Sequence, residues 1–394
     1  MSAAGIISRR LHFTAGCTLL LAACSAATPS ASLPGSSSPT ASAAASGQAR
    51  SPGSDDVAAG EFLQVVADEL RLRSAAGTDA MLVDTLPGGT LVRVESEAVE
   101  ADGFRWREVL GIDGQSGWAA DGDATDPWLT PVPEVDGGTP VVILGTVCDV
   151  IGPLNVPTTV VMDDGWVIAP DPSAGGAHVT RQLTSDGLEE VRGAVQGSAH
   201  LQASDEYLPQ PKPGAEPPGH GACQYTFTIP TAGGDPIVVS SVGWFGDEEE
   251  STFYQPSPER RALDALARNL TNIMGLLDDG SWTGRATPYV AEELVLRIEE
   301  GIGGPAPEGA PELDPAVLGL GDIDEFGDPV GTARCGIVSR AQGFELARLL
   351  NRAEPGFSVR LDNVSTPYFT TDDRWFGLVF GPRLPGGQPE CPAF

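Results

Sequence analysis

A basic pair, Arg9-Arg10, then the apolar run Cys17-Thr18-Leu19-Leu20-Leu21 and the small residues Ala22-Ala23 before Cys24, place a secretory signal at the head of this chain. Cleavage is expected directly before Cys24, which makes residues 1–23 the signal peptide. The apolar run falls well short of the ~20 residues that a spanning helix needs. Export constrains everything downstream, because cysteines can cross-link outside the reducing cytoplasm. Cys17 leaves with the signal and Cys24 heads the mature chain, with Cys148, Cys223, Cys335 and Cys391 downstream of it. Four cysteines without metal-ligand spacing point to two disulfides, for which three connectivities exist. The expected pairing is Cys148–Cys223 and Cys335–Cys391, since each bridge then stays within one half of the C-terminal region. Closing either loop would stabilise by roughly 2–4 kcal/mol. Ser8-Arg9-Arg10-Leu11-His12-Phe13 partly matches a twin-arginine motif, with His12 at a position usually apolar, so the export route stays open.

At 394 residues the chain has room for two or three domains of about 100–200 residues each. Its formal net charge of -31 argues against a nucleic-acid partner, which would require Lys and Arg to neutralise phosphates. Strong acidity instead keeps an exported protein soluble. Residues 24–59 are dominated by Ser, Ala, Pro, Thr and Gly and lack the large apolar side chains a core requires, so they read as a disordered tether. A flexible coil of about 30 residues has an r.m.s. span of roughly 30 Å. Leu21-Ala22-Ala23-Cys24 resembles the lipobox of bacterial lipoproteins. That resemblance implies a diacylglyceryl group on the Cys24 thiol and, with a further acyl chain such as palmitate, stable anchoring to the extracytoplasmic face of the membrane.

Residues 60–131 carry short strands with regular turn signals, the pattern of a small barrel. Leu70-Arg71-Leu72-Arg73 and Leu91-Val92-Arg93-Val94 alternate apolar and charged side chains, and Leu86-Pro87-Gly88-Gly89-Thr90 turns between them. Phe104-Arg105-Trp106-Arg107-Glu108-Val109 and Gly117-Trp118-Ala119-Ala120 follow. Leu72-Arg73-Ser74 with Gly77, Leu86 to Thr90, Trp106 and Gly117-Trp118 resemble, in order and spacing, the bacterial SH3-like (SH3b) domain. The insert Asp121-Gly122-Asp123-Ala124-Thr125-Asp126 before Trp128 departs from that pattern. The resemblance implies a barrel that folds on its own and commonly binds cell-wall peptides or other proteins. Trp106 and Trp118 would then either line an aromatic groove or fill the barrel core.

Beyond a linker at Pro131–Gly138, an α+β region of antiparallel strands and intervening helices is expected in two halves, 139–280 and 281–394. Thr159–Met162 and Trp166–Ile168 flank Asp163-Asp164-Gly165, a hairpin signal. Tyr225–Ile229 and Ile237–Ser240 read as a strand pair. Thr184 caps a helix carrying Leu188, Val191 and Val195, with Leu183 stapled onto Leu188. Ser257-Pro258-Glu259 starts a second helix with the apolar stripe Leu263, Leu266, Leu270 and Ile273, ended by Gly275. Leu294, Leu296 and Ile298 alternate as a strand, Ser339-Arg340-Ala341-Gln342 is a capping box opening a third helix, and Trp375–Phe380 is a final strand. The pieces Asp163–Ile168, Arg181-Gln182-Leu183-Thr184 with Gly187, Arg334–Val338 and Arg383-Leu384-Pro385 with Cys391 resemble a set of uncharacterised exported lipoproteins of high-GC bacteria. That likeness implies architecture only.

No catalytic residue, metal site or cofactor is indicated. The mature chain holds only His178, His200 and His220, and lacks zinc, nucleophile-elbow and phosphate-loop motifs. Asp322-Ile323-Asp324-Glu325-Phe326-Gly327-Asp328 carries Phe326 where a calcium loop needs an oxygen ligand, and His200 near Asp205 and Glu206 lacks a motif. The reading favoured is a membrane-anchored binding protein of the cell envelope, its partner a cell-wall peptide or glycan or another envelope protein. The alternative is a hydrolase of wall or secreted substrate working through paired carboxylates.

Overall fold

The computed structural model describes residues 57–386 apart from 124–125, 134, 136–137, 149–156, 172–176, 217–222, 245–251, 302–309, 311, 313, 317–318, 354–359, 362–367 and 372–373. Among the described residues the fold is α+β and rich in strands, with three sheets and few helices. Among the described residues, no helix is long and apolar enough to cross a membrane.

The first sheet contains β1 (Phe62–Val65), β2 (Glu69–Arg73), β3 (Leu82–Pro87), β4 (Leu91–Val94), β5 (Val99–Ala101), β6 (Phe104–Gly111), β7 (Ser116–Ala120) and β8 (Leu129–Pro131). Their order is β3-β2-β7-β6-β4-β1-β8, with β5 hairpinned onto β6. Among the described residues no pairing joins β8 to β3, so the path is open and the expected small barrel is not closed. Alternation sends Leu70 and Leu72 of β2, Val109 of β6 and Ala119 of β7 into one core with Leu63, Val65, Val92 and Leu129. Two residues, Asp102 and Gly103, join β5 to β6 with φ of 52° and 80°, the left-handed pair that a tight hairpin matching strand twist requires.

The second sheet runs β13-β15-β14-β9-β10-β11-β12-β16. Its strands are β9 (Pro140–Cys148), β10 (Pro157–Met162), β11 (Trp166–Asp171), β12 (Ala177–Leu183), β13 (Asp205–Tyr207), β14 (Cys223–Ile229), β15 (Ile237–Trp244) and β16 (Trp282–Pro288). All pairings are antiparallel except β13 with β15. Asp163-Asp164-Gly165 closes the β10–β11 hairpin, with Gly165 at φ 92°. Helices α1 (Ser185–Gly197) and α2 (Pro258–Thr271), and the short α3 (Ile273–Leu276), cover one face through Leu188, Val191, Val195, Leu263, Ala267 and Leu270. Thr184 accepts from the Gly187 N–H and Ser257 from that of Arg260, as helix-capping hydroxyls do.

Three expectations shift here. The apolar stripe of α2 includes polar residues: Arg260 and Asp264 are buried beside Leu263, while Leu266 is only half-buried. Reading hydrophobic periodicity alone passes over them, although 3.6-residue geometry puts 260, 264 and 267 on one face. The α2 helix also stops at Thr271, before Ile273 and Gly275. The boundary between halves lies past Pro288, not near Gly280, because β16 pairs with β12 and so completes the second sheet.

The third sheet is antiparallel, in the order β18-β19-β17-β21-β20. It comprises β17 (Glu293–Glu300), β18 (Asp328–Val330), β19 (Ala333–Ser339), β20 (Tyr368–Thr371) and β21 (Arg374–Pro382). Helix α4 (Arg340–Ala353) opens with the expected reciprocal box: the Gln342 side chain accepts from the Ser339 N–H at 3.0 Å, and the Ser339 hydroxyl from the Gln342 N–H at 3.3 Å. A side chain at Gly343 would meet Leu294 Cδ1 at 2.3 Å, so glycine lets the helix lie directly on β17.

Helix α4 serves two sheets at once. Phe344 meets Phe62 of β1 edge-on at 5.3 Å between ring centres, Glu345 pairs with Arg93 of β4, and Asn351 donates to the Ile112 carbonyl. Leu91 and Val132 belong to the same core as Leu294, Leu296 and Phe380. Val132 and Val135, in the stretch expected to be a linker, are both buried. The first sheet therefore has its own core and also packs one flank against α4. Phe344→Ala should lower unfolding free energy by about 3–5 kcal/mol. Urea unfolding followed by tryptophan fluorescence checks this, and a loss under about 1 kcal/mol would mean that the first sheet and α4 are energetically uncoupled.

Candidate aromatic cleft

Alternation along β2, β6 and β7 decides what the first sheet shows on the face away from its core. Leu70, Leu72, Val109 and Ala119 point inward, so Glu69, Arg71, Arg73, Phe104, Trp106, Trp118 and Ala120 share the opposite face. Cross-strand register agrees: Trp106 stands opposite Ala120, and Trp118 stands opposite both Glu108 and Arg73.

On this face lies a cleft of about 320 Å³, walled by Phe104, Trp106, Ala120 and Trp128 and rimmed by Glu69, Arg71, Arg73 and Thr78. Phe104 stacks on Trp128 with ring centres 5.8 Å apart and meets Trp106 edge-on at 6.4 Å. The Trp106 indole N–H donates to the Ala101 carbonyl at 3.0 Å, which fixes the ring and leaves its apolar body to the cleft. Trp106 is thus both nearly buried and part of the cleft wall. Trp118 is half-buried on the same face but does not line the cleft.

Phe104 and Trp128 are the members that sequence reasoning missed. Trp128 reaches the cleft through the acidic insert. Arg107, fully buried on the core side, donates through Nε to both Asp121 carboxylate oxygens at 2.9 Å and through Nη1 to the Val57 carbonyl at 2.8 Å. The Asp121 carbonyl in turn accepts from the N–H groups of Trp128 and Leu129 at 2.7 and 2.9 Å. Gly122 lies so close to Asp126 that a Cβ there would stand 2.5 Å from its carbonyl oxygen. A buried ion pair thereby pinches the insert shut and delivers Trp128 onto Phe104.

The far rim is held by Asp102. Its carboxylate accepts from both the backbone N–H and the hydroxyl of Thr78, at 2.8 and 2.9 Å, tying the loop after β2 to the β5–β6 turn. These hydrogen bonds hold the Asp102 carboxyl below its ordinary value of 3.8.

The remaining candidates are dispersed. Cys24 and Cys391 lie outside the described residues, as does His220. Cys148 and Cys223 are directly opposed in the β9–β14 register, and Cys335 is disulfide-bonded. His178 is buried on β12, and His200 packs edge-on against Tyr207. No group of three or more His, Cys, Asp or Glu among the described residues could hold a metal ion. The acidic loop carrying Asp322 and Asp324 borders a separate polar cleft with Asp314 and Arg374. Each acid there is engaged locally, since Asp324 pairs with Arg374, Asp322 accepts from the Asp324 N–H, and Asp314 accepts from the Ala316 N–H. Arg374 holds the Asp324 carboxyl low, in the ionised state that cannot act as a general acid near neutrality. The aromatic cleft has a single carboxylate in its lining, Glu69, whereas glycoside hydrolysis needs two facing one another.

No protein-family model, curated protein or solved structure matches this chain.

A pH dependence follows from the Asp102 tether. Its folded carboxyl titrates below the unfolded value, so the tether is fully present above about pH 4 and is lost as pH falls through the folded pKa. The Thr78 amide resonance should shift toward its unconstrained position with a midpoint below 3.8. In Asp102→Asn, which tolerates the left-handed turn, that titration should vanish. An unchanged Thr78 titration in the variant would show that Asp102 is not the group responsible.

Proposed function

We propose that this chain is a lipoprotein of the cell envelope, anchored through Cys24 to the extracytoplasmic face of the membrane, whose first sheet is an SH3-like binding unit for cell-wall peptide or glycan. The observation that carries the reading is the cleft made by Phe104, Trp106 and Trp128. Aromatic rings with fixed orientation give a ligand large apolar contact at little cost in conformational entropy, and polar groups on the rim set its direction. The lipobox-like stretch and the 24–59 tether support the location, and a tether spanning roughly 30 Å keeps the cleft near the membrane. A strand order that leaves β3 and β8 unjoined is compatible with a small, partly open barrel. Another envelope protein presenting a peptide segment is the second kind of partner that the same cleft would accept.

Binding should therefore depend on Phe104 and Trp128. Purified wall and its soluble muropeptides should be retained by the immobilised protein, and Trp128→Ala should weaken retention by about tenfold or more, as truncating a central aromatic anchor does. Equal retention by the Phe104→Ala/Trp128→Ala double variant would remove the cleft from consideration.

The anchor and the cross-links are read in one experiment. An unreduced peptide map of the membrane fraction should show an acylated N-terminal peptide beginning at Cys24, together with Cys148–Cys223 and Cys335–Cys391. Directly opposed residues of antiparallel strands lie within disulfide reach, which supports the first bridge. A soluble protein starting elsewhere, or a Cys148–Cys335 link, would refute the anchor or the pairing respectively.

A further inference from the structure

The rim of the aromatic cleft carries a feature that wall binding in general does not require. Arg71 and Arg73 project from β2 on the cleft face, separated only by inward-pointing Leu72. The two guanidinium groups are differently placed. Arg73 donates through Nη1 to the Ala80 carbonyl at 2.6 Å and is half-buried, a structural hydrogen bond that secures the loop after β2. Arg71 is exposed, and among the described residues it makes no hydrogen bond or ion pair with the protein. In a chain with 54 acidic residues against 23 basic ones, few exposed arginines lack an acidic partner; among the described residues Arg71 shares that state with Arg261, Arg285 and Arg352, and of these it is Arg71 that borders the aromatic cleft. Arg93, Arg107, Arg181, Arg192, Arg268, Arg297, Arg348, Arg374 and Arg383 all meet carboxylates. Glu69, the acid nearest along β2, forms no ion pair with Arg71 although both border the cleft.

Resting on the reading of this cleft as a binding site, we infer that its ligand is a peptide bearing a free carboxylate, held by the planar fork of Arg71 while an adjacent apolar or aromatic group sits against Phe104, Trp106 and Trp128. A guanidinium presents parallel N–H donors that match both oxygens of a carboxylate, and the neighbouring aromatic wall lowers the local dielectric and strengthens that pair. Neutral glycans would leave Arg71 without a use, and a cationic ligand would be repelled by Arg71 and Arg73 together. The net charge of the cleft lining, with two arginines and one glutamate, is opposite to that of the chain. An acidic ligand that the net charge of the protein disfavours is thereby favoured at this face.

The test uses the full mature protein and two random hexapeptide pools, one with free C-terminal and side-chain carboxylates and one in which all carboxyl groups are amidated, with bound peptides identified by mass spectrometry. The free-acid pool should be enriched, carrying a carboxylate beside an apolar residue, and the amidated pool should be retained about tenfold less, the loss expected for removing a charge-assisted hydrogen-bonded pair. Arg71→Gln should abolish that preference without changing thermal unfolding, since among the described residues Arg71 makes no hydrogen bond or ion pair that holds the fold. Arg71→Lys should restore it only in part, because a point charge lacks the fork. Raising salt from about 50 to about 500 mM should weaken free-acid binding and leave amidated binding unchanged. Equal retention of both pools, or an undiminished acid preference in Arg71→Gln, overturns the carboxylate assignment while leaving the aromatic cleft as a binding site. Retention of neither pool, together with wild-type behaviour of Phe104→Ala/Trp128→Ala toward muropeptides, overturns the cleft itself.

Discussion

The contact on which the architecture depends is the two-sided burial of α4. One side of the helix lies against β17, close enough that position 343 has no room for a side chain, and Phe344 turns the other way to meet Phe62 of the first sheet. A helix buried on a single stripe would leave the first sheet with much less to hold it, such as the Gln64 side chain donating to the Pro288 carbonyl. Here the helix is shared, so Leu91, Val132 and the Phe-rich interior of the third sheet form one continuous core. The Arg93–Glu345 pair and the Asn351 hydrogen bond to Ile112 sit around this apolar contact. Partly exposed polar pairs of this kind add little energy, but they fix orientation. Apolar burial supplies the adhesion and the polar rim supplies the angle.

A second constraint acts inside the first sheet. Arg107 and Asp121 are both removed from water, and burying two charges costs more than their attraction alone returns unless further hydrogen bonds complete them. Arg107 reaches both oxygens of Asp121 and the Val57 carbonyl, so the guanidinium is used in several directions. An apolar pair of equal volume would pack here as well or better in energetic terms. What it would not do is select the register at which the insert returns to the sheet. Asp121 binds Trp128 and Leu129 through its backbone while its side chain is locked by Arg107, so the position of the cleft wall is set by electrostatics in the core beneath it.

Much of the fold is legible in local chemistry. The hairpin at Asp163-Asp164-Gly165, the caps at Thr184 and Ser257 and the box at Ser339 and Gln342 depend on residues within a few positions of one another, and each is present. What sequence does not show is which long-range neighbour an element chooses. Trp282 to Pro288 has the alternation of a strand, but only the β12 edge decides that it completes the second sheet. Val132 and Val135 sit among prolines and glycines and read as a linker, yet each finds a separate core. The candidate site divides along the same line. Trp106 is visible as an aromatic on a strand, and its register places it on the outer face. Trp118 shares that face but stands between Arg73 and Glu108, away from the cleft. Phe104 reads as strand filler, and Trp128 lies beyond the insert that departs from the SH3-like pattern. The dipeptide Asp102-Gly103 is the one local signal that locates the β5–β6 turn and the rim it supports.

Charge distribution joins these parts into one physical argument. With a formal charge of -31, the protein repels acidic chains over most of its surface at distances up to the screening length of about 8 Å. Ten arginines among the described residues pair with neighbouring acids, which reduces the positions where an incoming carboxylate meets a net attraction. A cleft whose rim keeps an uncommitted guanidinium is such a position, and the aromatic wall beside it rewards only ligands that also carry an apolar group. Selectivity then arises from two conditions met together: background repulsion rejects acidic chains that cannot engage Arg71, and the stacked rings fail to hold charged groups that lack an apolar neighbour.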